Sequence, residues 1–381
     1  MKPMKAFVTL CLLGSQTVLA DNVEERAWPV TSLLVPNPFQ VNPAAIPTDR
    51  TIIGGLRLDR REESRYLINP SGNTPAKIQH STHKRDVALG FQLPLGGAAF
   101  GLSGDEHSRQ ITGKSDQRNG EVFEEFWVRD YKMKFVVDLL PELRGAFTFR
   151  YQSHQADLLG GYGVGNDDRT RYKGTMSGYS LGVNYKVRNV VTIGAFTAPP
   201  LRGKATIEGE QKIISDPGLG GLELGFMYSD RLSLGLSILK WSYKHDDRDE
   251  DTTSPVNQRN IFLRGVEVEQ YFRKTLAIGI GAEFAILPMV GVKGSITKQE
   301  GVFLFDPTRV PGDDKDVETK VSANELRVGG FIRNKQFFVE LVLMKSSKSK
   351  DEVRVRRNGI TALGDYKHDD SSNVVVLGAA F

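Results

Sequence analysis

The sequence predicts an all-β chain: a transmembrane, antiparallel up-and-down β-barrel of 14 strands with a short N-terminal periplasmic or lumenal segment. Three observations predict it. Apolar and polar residues alternate with period two through most of 51–381, and short polar turns alternate with long polar loops. After the N-terminal region no apolar run reaches the roughly 18 residues of a membrane helix. Composition narrows the class further. The 381 residues are 39% hydrophobic and 9% aromatic, which disfavours disorder. A net charge of +4 is too small for a phosphate-neutralising surface, so no nucleic-acid partner is expected. One Cys excludes a disulfide scaffold.

Residues 1–20 read as a signal peptide. Lys2 and Lys5 precede the apolar run Ala6–Leu13, and Val18-Leu19-Ala20 places a small residue before a cut at Asp21. Five prolines between 21 and 50 (Pro29, Pro36, Pro38, Pro43 and Pro47) forbid a long helix or a regular strand and leave room for one brief helix at 43–46.

The barrel begins at Thr51. Its clearest hairpin is 219–243, where Leu222, Leu224 and Phe226 alternate with Glu223 and Gly225. Ser229-Asp230-Arg231 then turns the chain into Leu232, Leu234 and Leu236. Further short turns are expected at 94–97, 141–142, 188–189, 273–274 and 334–335. Long polar loops are expected at 60–84, 105–121, 154–175, 198–217, 244–258, 287–320 and 346–371. Sorting of loop lengths by rim is a habit of outer-membrane barrels and has no counterpart in a soluble sandwich. Leu222, Leu224, Phe226, Leu234, Leu236, Ile278, Ile280, Val339 and Leu341 form the expected lipid face. Tyr131, Tyr151, Tyr179, Tyr185, Tyr228, Trp127 and Trp241 form the expected aromatic girdles.

Two motifs carry a family resemblance. The chain ends in a strand closing on Phe381, similar to the signal that the barrel-assembly machinery reads. Asn42-Pro43-Ala44, just ahead of strand one in a fourteen-stranded barrel, resembles the long-chain fatty-acid and hydrocarbon transporter (FadL-type) family of outer membranes. The resemblance implies that Asn42, Pro43 and Ala44 belong to a hatch folded into the lumen. It also implies a kink in the third strand, at Gly101 and Gly104, that opens the wall sideways.

Inward parity gives a separate reading. Lys132, Lys134, Arg144, Arg150 and Lys186 stand on one half of the barrel, and Glu223, Glu267, Glu269, Glu283, Glu325 and Glu340 on the other. Such walls give either a transverse field across a wet channel or pairs that plug the lumen. Gly161–Gly165 lacks the context of a dinucleotide loop. The acidic clusters around His245 and His368 read as solvated loop charge, so neither metal nor cofactor is expected. Ser103, Asp105, His107 and Ser108 form the one tight polar group, and no catalytic residue is assigned.

The expectation is a non-enzymatic monomer of the cell outer membrane for passive uptake of small hydrophobic molecules such as long-chain fatty acids. The alternatives are a polar-solute porin with a charged lumen and a closed barrel presenting surface-interaction loops. Expected partners are outer-membrane lipid and lipopolysaccharide, the assembly machinery and a small-molecule substrate.

Overall fold

The structure is a computed structural model. It describes residues 42–45, 48, 53–67, 78–115, 118–159, 169–188, 190–207, 210–215, 218–242, 251–253, 269–306, 317–334, 337–357 and 360–380. Residues 1–41, Glu267 and Phe381 lie outside the described residues.

Seventeen strands form one sheet: β1 (Ile53–Leu67), β2 (Ile78–Pro94), β3 (Ala98–Ser115), β4 (Arg118–Asp138), β5 (Leu143–Leu159), β6 (Arg169–Val187), β7 (Val191–Ala198), β8 (Arg202–Ile207), β9 (Glu210–Ser215), β10 (Gly218–Met227), β11 (Leu232–Ser242), β12 (Asp251–Thr253), β13 (Glu269–Leu287), β14 (Val290–Asp306), β15 (Val317–Arg333), β16 (Phe337–Arg357) and β17 (Ile360–Ala380). Fourteen of these close a ring. Each pairs antiparallel with the next, in the order β1 to β7, β10, β11 and β13 to β17, and β17 returns to β1 with Ile53 opposite Ala380. Pairing of β17 with β1 removes the two free edges that an open sheet would expose to hydrocarbon. The remaining three strands are accessories. β8 continues along the upper part of β6, β9 pairs with β8, and β12 lies parallel to β9.

Alternation sets the two faces. Outward positions carry Phe135, Phe147, Leu181, Leu222, Ile278, Ile280 and Leu341, all exposed as a lipid face requires. Tyr131 and Tyr151 face each other across β4 and β5 with ring centroids 6.4 Å apart, while Tyr185 and Tyr228 lie toward the short turns. On β5 the outward run from Leu143 to Tyr151 covers about 25 Å of strand at roughly 3.3 Å per residue.

The register corrects two expectations. No turn occurs at Arg273-Lys274: β13 runs through it with a bulge between Phe272 and Lys274, and the chain turns at Pro288-Met289 instead. The expected loop 287–320 contains β14, and the apolar group Val302–Phe305 belongs to that strand. The physical reason is the lumen. β14 points Lys293, Ser295, Thr297 and Gln299 inward, so a strand with one face in polar surroundings reads as loop. The long outer loops are also largely strand. β3 and β4 extend to Ser115 and from Arg118, and β16 and β17 leave only 358–359 between them.

Candidate functional site

The lumen is lined unevenly. On β6 the inward positions are Gly174, Met176, Gly178, Ser180 and Gly182, so backbone is the inner surface of much of this wall. Into that space folds the 3-10 turn Pro43–Ala45, which lies against β5 and β6 and touches β4 and β7. Asn42 and Ala44 are fully buried. Asn42 organises the turn: its Oδ1 accepts from the Ala44 amide at 3.0 Å, and its carbonyl accepts from the Ala45 amide at 3.1 Å. Its Nδ2 donates to the Val183 carbonyl at 3.1 Å, and Asn42 also hydrogen-bonds the Glu223 carboxylate on β10.

Two glycines make the seat. A Cβ at Gly182 would overlap Asn42 Oδ1 and stand 2.8 Å from Pro43 Cδ; one at Gly194 would stand 2.6 Å from Asn42 Nδ2. Close approach of a second backbone is a use that only glycine serves in a strand. The Asn-Pro-Ala triplet singled out in the sequence is therefore inside the barrel. Its seat was missed, although glycine at every fourth residue from 174 to 182 is a readable signal of a vacant inward face.

Above this seat the wall loses its ladder. β6 pairs with β7 from Leu181 to Val187 and with β8 from Tyr172 to Ser177. Gly178, Tyr179 and Ser180 thus have no register partner on that side, opposite Pro199-Pro200-Leu201. The cause is local, because proline has no N–H to give to a ladder. Pairing between the adjoining strands stops at the same level, β7 with β10 at Ala198 and Leu219 and β8 with β9 at Arg202 and Ser215. Leu201, 3% exposed, turns its side chain into the lumen against Gly178. By contrast, β3 keeps unbroken register with β2 and β4 through Gly101 and Gly104. The break in register lies beside the sixth strand.

The inward charges pair within each wall rather than dividing into a basic and an acidic one. On β3–β5, Asp130 Oδ2 accepts from Arg150 Nη2 at 2.5 Å and Gln152 Nε2 at 3.2 Å, with Lys132 Nζ at 3.2 Å. Lys132 also reaches Asp105 at 3.5 Å, and His154 meets Gln152 at 3.1 Å. Across the lumen Arg333 Nη2 donates to Glu283 Oε2 at 2.8 Å, Lys293 pairs with Glu340, and Arg327 pairs with Glu325 at 2.6 Å. Lys134 is buried and inward, and Arg144 pairs with Asp138 at the turn rim. Of the two arrangements the sequence left open, these contacts are of the paired kind: Asp105 and Asp130 sit among the cations, and Lys293, Arg327 and Arg333 among the glutamates. Glu269 opens β13, but its side chain lies outside the described residues, as does Glu267. Asp105 pairs with Lys132, the His107 side chain lies outside the described residues, and no metal-ligand cluster occurs among the described residues.

A closed fourteen-stranded barrel with an apolar outer belt and a lumenal turn before its first strand defines a membrane-spanning channel fold. No protein-family model and no curated protein sequence matches the chain. Solved structures do. A TodX monoaromatic hydrocarbon channel carrying the deltaS2S3 mutation aligns with TM-score 0.60 and 15% identity over 90% of this chain and 93% of that one. A Pseudomonas aeruginosa FadL homologue gives 0.57 and 14% over 92% and 96%, and the Ralstonia pickettii toluene transporter TbuX 0.51 and 14% over 90% and 92%. At these identities the shared property is the fold, which is that of the FadL-type barrels.

Proposed function

We propose that this protein is a non-catalytic outer-membrane channel for passive uptake of small hydrophobic molecules. The observation that carries the reading is the buried Asn42–Ala45 turn, which occupies the lumen beside a break in the wall. On this reading the turn obstructs axial flow and the segment Pro199-Pro200-Leu201 is the route sideways. A solute leaving there would enter lipid without crossing the charged lumen below. The fold of hydrocarbon channels supports this class of solute, and long-chain fatty acids are the extension of it that the Asn-Pro-Ala resemblance suggests. The test is uptake of labelled toluene and oleate by proteoliposomes holding the chain or its Leu201→Arg variant. We expect uptake of at least one solute and its loss in the variant; solute-independent leak, or equal uptake by the variant, would sink the reading.

A second reading, a polar-solute porin, draws on the charged lining and on carboxylate oxygens such as Asp105 Oδ2 and Asp130 Oδ1 that have no protein partner among the described residues. Steady ohmic conductance in planar bilayers, unaffected by deleting 21–48, would favour it.

A further inference from the structure

The outer face carries a pattern that transport does not use. On four strands an outward cation follows directly on the continuous apolar run of the outer face, on the side of the long hairpins. Arg129 follows Tyr131 on β4, Lys240 follows Ile238 on β11, Lys298 follows Ile296 on β14, and Lys345 follows Leu343 on β16. On β8, beyond the interruption, Arg202 and Lys204 take the same outward positions. All six are exposed. Arg129 pairs with Glu106 at 2.8 Å and Lys298 with Glu300 at 2.6 Å, whereas Arg202, Lys204, Lys240 and Lys345 make no ion pair among the described residues. At the opposite rim acids and bases are nearly even among the described residues: Asp138 pairs with Arg144 at 2.8 Å, and Glu142 and Asp230 share the rim with Lys186, Arg188 and Arg231.

We propose that Arg129, Arg202, Lys204, Lys240, Lys298 and Lys345 form a collar that binds the phosphate groups of lipopolysaccharide in the outer leaflet. The position is the argument. A residue one outward step beyond the apolar belt sits at the headgroups, where its alkyl stem lies along the belt and its charge reaches outward. Guanidinium and ammonium groups there meet phosphate with charge-assisted hydrogen bonds. A leaflet rich in phosphorylated glycolipid explains one basic rim and one balanced rim, and solvated loop charge does not. The inference rests on the membrane placement proposed above and not on the transported solute.

The test uses the full chain refolded in vesicles. Its thermal midpoint should be higher with lipopolysaccharide than with the same glycolipid after removal of its phosphates; equal midpoints would overturn the proposal. An equal rise on adding inorganic phosphate to phosphate-free vesicles would assign the collar to free anions and overturn it too. The variant Arg202→Gln/Lys204→Gln/Lys240→Gln/Lys345→Gln is compared after a matched midpoint in phosphatidylcholine shows that it folds. It should retain lipopolysaccharide through purification roughly fivefold less well for each cation removed, and retention equal to wild type would count against the collar. Where the variant does not fold, the wild-type comparison decides alone. Both readouts need no solute, so their failure is distinct from a failure of uptake.

Discussion

The wall of β3–β5 and the wall of β6, β7 and β10 face the same lumen and are built on opposite plans. The first has ladders that run without a break through the level of Asp130, and large inward side chains whose charges are tied together around it. The second has glycine where the first has arginine, a foreign turn seated on it, and a stretch where pairing stops. One wall is held by side chains across strands, the other by a segment brought in from elsewhere in the chain. The difference teaches that interrupted pairing goes with the wall whose own side chains leave its inner face bare.

The comparison can be broken first at Asp130. Asp130→Ala removes the buried carboxylate that Arg150 and Lys132 share, and loss of one partner of such a network costs about 3–5 kcal/mol. Guanidinium unfolding in micelles should show that loss, and a cost below about 1 kcal/mol would mean that water already satisfies the network.

Gly182→Val attacks the other wall. Its methyl groups take the space of Asn42 and Pro43, and overpacking of this kind costs about 1–3 kcal/mol. The strand itself tolerates valine, so the turn should leave and the barrel remain. We expect new protease sensitivity near residue 45 and a larger single-channel conductance; a variant as resistant and as silent as wild type would show that the seat does not hold the turn.

The smallest effect belongs to the belt. Tyr131 and Tyr151 meet as tilted rings across a regular part of the sheet, and a double-mutant cycle with Leu at both positions should give a coupling of about 0.5–1.5 kcal/mol. No coupling would mean that each ring answers to lipid alone.

Much of this was legible in the sequence because lipid enforces strict alternation. Leu222, Leu224 and Phe226 face outward as their period required, and the barrel closes with the expected strand number. That number concealed two offsetting differences, one hairpin at 273–274 that does not exist and one strand, β14, hidden by its polar inner face. Asn42-Pro43-Ala44 was legible as a motif, but its seat depends on which glycines meet it across more than a hundred residues, and no local period records that. The charge pairing was illegible for the same reason. Lys293 reaches Glu340 on a strand that is not adjacent in sequence, and counting signs by halves of the chain missed the acids standing among the bases.

The seam between β1 and β17 sets a condition on assembly. Ile53 meets Ala380, so the ring shuts only after nearly the whole chain has been delivered. Joining ends so far apart carries a closure entropy that short hairpins do not pay, so these form earlier. Residues 42–45 precede β1 and end up inside. The glycine shelf on β6 lies early in that sequence of events, so the turn can settle while the sheet is still an open trough. Slow seating would then be recorded as a population of barrels that are closed, stable and empty.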